Sequence, residues 1–228
     1  MIFYFLLLLP IGFIETQSLC KTPNTVYTCY VSYLERYGYH GDGSGYLPAF
    51  QSLDYQMRTH SLPVICSDFD KLTSCLGSSS TYCISYDVFY TFTRNQQEAM
   101  YYLQNHAFFE FVCGNGKELF LQNQICIQKS LGRISLTDRM RECGQPQFIT
   151  NMPEKCPEIL EVTNCVHEKM RVECGEVAGT ATCGAATNIE RRMQFLDAAC
   201  LTEMDVRCST NLLSLMFSIL FVITYYFI

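Results

Sequence analysis

Two apolar segments mark the ends of this 228-residue chain, and between them apolar residues recur among polar ones with helical spacing. The first apolar run covers residues 1–9 and is followed by Pro10, Gly12 and a short polar stretch, an order typical of a secretory signal peptide. The run is too short to cross a bilayer. We therefore expect a signal peptide over residues 1–18, with a buried N-terminal strand as the alternative.

The last 17 residues carry no charged side chain and would span roughly 25 Å as a helix, which is marginal for a membrane span. We expect the hydrophobic tail, residues 209–228, to be a cleaved glycolipid-anchor signal or a short transmembrane helix, with a buried helix as a third alternative. Small residues that suit lipid attachment occur at Asp197 and at Ser209. Cleavage after Asp197 would remove Cys200 and Cys208 together, so the parity of the cysteines does not choose between the two sites.

Hydrophobic residues between these ends recur every three or four positions, which predicts helices. In segment 66–76, Phe69, Leu72 and Leu76 share one helical face. No segment shows the clear alternation of a strand, so the expected fold class is all-α. The same spacing predicts helices over residues 98–111, 117–128, 160–174 and 189–200.

The cysteine content indicates an exported, disulfide-stabilised ectodomain, because disulfides persist outside the cytosol. An even number of cysteines allows every one to be paired, although their spacing does not assign the pairs. The fourteen candidate disulfide cysteines are Cys20, Cys29, Cys66, Cys75, Cys83, Cys113, Cys126, Cys143, Cys156, Cys165, Cys174, Cys183, Cys200 and Cys208.

Two segments of the chain look like copies of one another. CSDFDKLTSCL from Cys66 and CPEILEVTNCV from Cys156 share the nine-residue cysteine spacing and several apolar positions. On a helix, nine residues turn a side chain to the opposite face, so Cys66 and Cys75 should bond to different neighbours. We predict a duplicated helical fold with an N-terminal arm and glycine-rich loop (19–65), disulfide unit one (66–150) and disulfide unit two (151–208).

The charge balance and the polar residues give little support for an enzyme. A formal net charge of −6 argues against nucleic acid as a partner. His106 and Glu110 lie one helical turn apart without the second histidine of a zinc pattern. The segment 114–117 lacks the length of a phosphate-binding loop and is expected to cap the preceding helix. We expect no catalysis, metal, cofactor or small-molecule substrate.

Tyrosines are concentrated near the N-terminal arm, at Tyr27, Tyr30, Tyr33, Tyr37, Tyr39, Tyr46 and Tyr55. Tyr30, Tyr33 and Tyr37 have helical spacing and are expected to form a core stripe. If they were exposed instead, the arm would be the candidate surface for a protein partner, because tyrosine is enriched at interfaces.

The opening Cys-x8-Cys-Leu helix at Cys66, the third cysteine Cys83, and the helices that carry Cys113 and Cys126 together resemble the chondroitin proteoglycan four domain of nematode extracellular proteins. The segment 156–175 is similar to a related group, the nematode domain of unknown function nineteen. The first resemblance implies an extracellular matrix or surface protein, in the form of a proteoglycan core. The second implies only secretion.

One short motif bears on the proteoglycan interpretation. The segment 40–46 reads HGDGSGY, in which Ser44 precedes Gly45 and follows Asp42 by two residues. Glycosaminoglycan chains start on serines in such a setting, where glycine leaves the hydroxyl accessible. Ser44 is therefore a candidate attachment site, and the alternative is an unmodified glycine-rich loop.

These observations lead to two functional hypotheses. The first is a non-enzymatic secreted or cell-surface structural protein, associated with the matrix and in its specific form a chondroitin proteoglycan core. The second is a membrane-tethered extracellular protein-binding module that acts as a receptor or ligand. In both, the expected partners are the membrane, through the C-terminal tail, and the extracellular matrix or a protein. The expected location is the outer face of the plasma membrane or the matrix.

Overall fold

The computed structural model describes residues 20, 22–39, 43–49, 60–144, 155–194 and 196–208. These residues confirm the all-α prediction, and no strand occurs among them. The signal peptide, the hydrophobic tail and Tyr55 lie outside the described residues. The helices are α1 (Pro23–Glu35), α2 (Leu62–Leu76), α3 (Ser79–Tyr82), α4 (Tyr86–Thr93), α5 (Gln96–Cys113), α6 (Lys117–Gln122), α7 (Gln124–Leu131), α8 (Leu136–Glu142), α9 (Cys156–Cys174), α10 (Glu176–Met193) and α11 (residues 198–208).

Several helices begin at residues that satisfy free backbone N–H groups. Asn95 caps α5 by accepting hydrogen bonds from the backbone N–H groups of Gln97 and Glu98. Ser135 accepts from Asp138 N at the start of α8. Side chains thus supply hydrogen-bond acceptors for the backbone at these helix starts. The Asn95 cap also allows α5 to follow α4 with only two residues between them.

Two of the predicted helices are interrupted in the structure. The predicted helix 117–128 is divided into α6 and α7 at Asn123. The predicted helix 189–200 is wrong in extent, because α10 ends at Met193 and the next helix begins at residue 198. Gln194 has a left-handed conformation with φ 58°, which terminates α10.

An aromatic core joins α1, α2, α4 and α5. Tyr30 and Tyr33 are 2% and 3% exposed, and the Tyr30 ring meets Phe89 and Tyr102 edge to face. The Tyr30 hydroxyl lies 2.7 Å from His106 Nδ1, so its buried polar atom has a partner. The core-stripe prediction is confirmed for these two tyrosines. Their burial rules them out as the partner surface considered for the arm.

Helix α10 packs against α5, α6 and α9. Its buried face consists mainly of alanine, threonine and glycine. A β-carbon on Gly179 would lie 3.0 Å from the His167 carbonyl oxygen of α9, and one on Gly184 would collide with the Phe111 ring of α5. Small residues therefore allow α10 to approach two neighbours at once.

All fourteen cysteines are paired in the structure. As expected from their nine-residue spacing, Cys66 and Cys75 bond α2 to two different helices, α5 and α1. The seven disulfides are Cys20–Cys83, Cys29–Cys75, Cys66–Cys113, Cys126–Cys174, Cys143–Cys165, Cys156–Cys200 and Cys183–Cys208.

The disulfides fall into two groups that share no bond. Three bonds lie within residues 20–113 and four within residues 126–208. Two bonds of the second group, Cys126–Cys174 and Cys143–Cys165, span the boundary expected near residue 150. The division of the chain into two related units stays a prediction, and the bonds indicate a second unit that starts before Cys126.

The two groups also repeat one pairing order. In each group, the first and second cysteines bond to the fifth and fourth members of the set, and the third bonds to the sixth. The first set is Cys20, Cys29, Cys66, Cys75, Cys83 and Cys113. The second is Cys126, Cys143, Cys156, Cys165, Cys174 and Cys200, and Cys183–Cys208 is additional to it.

Acidification is expected to destabilise the protein through His106. Burial lowers the pKa of His106 to about 4, below its ordinary value of 6.5. As the pH falls below about 6.5, His106 therefore binds a proton in the unfolded chain but stays unprotonated in the folded protein. The unfolding free energy should decrease between about pH 6.5 and about pH 4, by up to about 3 kcal/mol. Guanidinium chloride unfolding across this range measures the effect.

The control is His106→Gln, which can still pair with the Tyr30 hydroxyl but does not titrate. Glu110 and Arg192 are the charged groups that act on His106, and both stay in place in the variant, where the hydrogen bonds and charge of Arg192 keep the pKa of Glu110 below its ordinary value. The variant should lose less stability than the wild type between about pH 6.5 and about pH 4. An equal loss in both proteins would contradict the assignment to His106.

Candidate functional site

Ser44 lies in an exposed turn between two glycines. Gly43 and Gly45 have φ values of 74° and 79°, a backbone conformation that favours glycine. Ser44 is exposed, and its Oγ accepts a hydrogen bond from the backbone N–H of Tyr46 at 3.2 Å. Asp42 lies outside the described residues. The hydroxyl of Ser44 is thus on the surface of the folded protein.

The residues that follow Ser44 attach this turn to the helical core. The backbone N–H of Leu47 donates to the Phe92 carbonyl oxygen at 2.9 Å, and the Tyr102 hydroxyl donates to the Pro48 carbonyl oxygen at 2.7 Å. Leu47 is 6% exposed and belongs to the main core. The turn is therefore held against the C-terminal end of α4.

Asp197, one of the two candidate residues for lipid attachment, is part of the folded structure. Its Oδ1 accepts a hydrogen bond from Cys200 N at 2.8 Å at the start of α11. Within α11, Met204 is fully buried, and Cys200 and Cys208 are 3% and 6% exposed. The helix also supplies two disulfide partners. Ser209 lies outside the described residues.

A half-buried ion pair joins α5 to α10. Glu110 accepts hydrogen bonds from Arg192 Nε at 2.8 Å and from Arg192 Nη2, and Asn188 Nδ2 donates to the same carboxylate at 3.2 Å. Partial burial alone would raise the pKa of Glu110, but the hydrogen bonds and charge of Arg192 outweigh it and lower the pKa. Glu110 is therefore ionised and fixed in position, which gives it a structural role.

These residues line an open cleft of about 580 Å³ that also includes Phe111, Asn115, Arg191 and Gln194. Its two arginines are already neutralised: Arg192 by Glu110, and Arg191 by Asp205, whose carboxylate lies 2.8 Å away. Gly114 ends α5, and its backbone N–H donates to the Phe111 carbonyl oxygen, as the capping interpretation of segment 114–117 predicts. The cleft therefore carries no surplus positive charge that would attract an anion.

In the described part of the chain, no group of three or more His, Cys, Asp or Glu side chains could hold a metal ion. His106, the residue considered for a metal pattern, is 2% exposed and is close to Tyr30 and Phe69. It is therefore enclosed in the core and does not face a cleft.

Sequence reasoning missed the exposed tyrosines of the molecule. Tyr82 and Tyr90 are 58% and 44% exposed, and the Tyr90 ring stacks on Tyr86 at 6.0 Å between centroids. Tyr86 and Tyr90 are four residues apart, a spacing that places them on one face of α4.

No protein-family model, curated protein or solved structure matches this chain. None of the helices among the described residues is long and apolar enough to cross a membrane. The seven disulfides and the all-α fold define the class of this molecule, a cysteine-rich helical protein of the secreted or extracellular type.

We predict that Glu110→Gln destabilises the protein by about 1–2 kcal/mol, because it leaves Arg192 half-buried without a carboxylate partner. The matched control is Glu203→Gln, which removes an exposed pair with Arg207 and should cost less than about 0.5 kcal/mol. Guanidinium chloride unfolding midpoints of the two variants give the comparison. Equal losses would show that the α5–α10 pair adds no more than a surface pair.

Proposed function

We propose that the chain is a non-enzymatic cell-surface or matrix-associated protein that serves as a core for a glycosaminoglycan chain on Ser44. The observation that supports this most is the exposure of Ser44 between two glycines in a turn fixed to the core. A transferase could reach this hydroxyl without unfolding a helix. The resemblance of the cysteine-bearing helices to the chondroitin proteoglycan four domain supports the same assignment.

We further propose that the ectodomain extends to Cys208 and that the hydrophobic tail links it to the membrane from Ser209 onward. Cys200 and Cys208 are bonded to Cys156 of α9 and Cys183 of α10. Removal of everything after Asp197 would leave both of these partners without their bonds. Ser209 therefore fits the disulfide framework better than Asp197 as the point of lipid attachment, and a membrane helix beginning at the tail fits it equally well.

A protein-binding module is the second candidate, and the exposed Tyr82 and Tyr90 favour it. In that function the binding surface would be the face of α3 and α4. The buried Tyr30 and Tyr33 could not contribute to it. The presence or lack of a sugar chain on Ser44 separates the two candidates.

A secreted chain that ends at Cys208 should fold, whereas one that ends at Asp197 should be retained in the cell or secreted poorly. The shorter chain loses two disulfides, whose cysteines are separated by 44 and 25 residues in sequence. By the loss of chain entropy in the unfolded state, each of these bonds should stabilise the protein by about 3–4 kcal/mol. Secreted yield and free-thiol content of the two chains measure this. Equal yields with no free thiol in the shorter chain would contradict the proposed ectodomain boundary.

Ser44→Ala should abolish the sugar chain. Wild-type protein from animal cells is expected to run as a diffuse band of high mass that collapses with chondroitinase, and the variant as a sharp band. The control is Ser78→Ala, an exposed serine that follows Gly77 but precedes another serine, and it should behave as wild type. Sharp, unchanged bands in every lane would refute the proteoglycan function and leave the protein-binding module.

A further inference from the structure

The surface next to Ser44 carries the positive charge of Arg94. Arg94 is exposed at the end of α4, and its guanidinium carbon lies 4.6 Å from the centre of the Tyr46 ring. Within the described part of the chain, no carboxylate forms an ion pair with Arg94. By contrast, Arg36, Arg139, Arg191 and Arg192 all pair with carboxylates.

Backbone contacts hold Arg94 close to the attachment turn. Arg94 has a left-handed conformation with φ 50°, and its N–H donates to the Tyr90 carbonyl oxygen at 2.8 Å, so it caps α4. The backbone N–H of Leu47 donates a hydrogen bond to the carbonyl oxygen of Phe92, which is two residues before Arg94. In the turn just before Leu47, the N–H of Tyr46 donates to Ser44 Oγ. Tyr46, which is partly buried, therefore contacts exposed residues on both sides: Ser44 through its backbone and Arg94 through its ring.

The chemistry of this surface suits the chain proposed for Ser44. Glycosaminoglycans are strongly acidic polymers of sugars, and a guanidinium forms paired hydrogen bonds with carboxylate and sulfate groups. Sugar rings can also pack against the exposed part of an aromatic ring. Tyr46 is partly exposed beside Arg94, so both kinds of contact are available within reach of the attachment point.

The charges on α4 set a direction for the contact. Asp87 is exposed in the first turn of α4 and has the same sign as a glycosaminoglycan. It is seven residues before Arg94, which is roughly 10 Å along a helix. The acidic chain should therefore be attracted to the Arg94 end of α4 and repelled from its beginning.

We propose that the acidic glycosaminoglycan chain on Ser44 lies across Tyr46 and is bound by Arg94, so that the protein fixes the direction in which the chain leaves its surface. This inference rests on the proposed attachment at Ser44. It assigns to Arg94 a binding role that its cation–π contact alone would not require.

The test compares the reaction rate of Arg94 with phenylglyoxal in three samples: wild type with its sugar chain, the same protein after chondroitinase, and Ser44→Ala. Peptide mapping by mass spectrometry follows the adduct. Arg133, exposed in the turn after α7, is the internal control in every sample. We expect Arg94 to react about threefold more slowly in the first sample, the factor that corresponds to an exposed ion pair, and Arg133 to react equally in all three.

High salt provides a second criterion, since about 1 M salt shortens the screening length to about 3 Å and should remove the protection of Arg94. Equal Arg94 rates in a wild-type protein that does carry the chain would overturn the inference while leaving the attachment at Ser44 intact. Equal slowing of Arg94 and Arg133 would also overturn it, because the effect would then be non-specific. A wild-type protein without any chain, recognised by its sharp band on a gel, would refute the attachment and the inference together.

Discussion

The fold depends on two helices, each of which carries cysteines on opposite faces. Nine residues separate Cys66 from Cys75 in α2 and Cys156 from Cys165 in α9, so neither helix can satisfy both cysteines with one neighbour. Disulfides therefore join each of these helices to one segment that precedes it in sequence and to one that follows it. The aromatic core around Tyr30 and the alanine-rich face of α10 fill the spaces that these bonds define.

Non-covalent contacts join the two disulfide groups. The Glu110–Arg192 pair and the close packing of Gly184 against Phe111 both connect α5 of the first group to α10 of the second. One continuous hydrophobic core runs through both groups, from Val26 in α1 to Met193 in α10. A molecule with two separate covalent frameworks is thus a single packed body because two helices share a tightly fitted interface.

Sequence periodicity was sufficient where helices bury large residues. Phe69, Leu72 and Leu76 identify α2, and the stripe of Tyr30 and Tyr33 identifies a buried face. It failed for α10, since a buried face of alanine, glycine and threonine gives little hydrophobic contrast, and its end at Gln194 depends on one residue in a left-handed conformation. The disulfide pairs and the contact between Arg94 and Tyr46 depend on tertiary neighbours, which spacing along the chain does not encode.

The first group of disulfides ends at Cys113 and the second begins at Cys126, and this division has a consequence for biosynthesis. In the exported chain that we propose, the N-terminal residues would reach the oxidising lumen first, and Cys113 is the last cysteine that the first three bonds require. All three can close before any cysteine from 126 onward has emerged. No cysteine of the first group has to wait for a partner in the second, so the order of synthesis itself limits mispairing between the two groups.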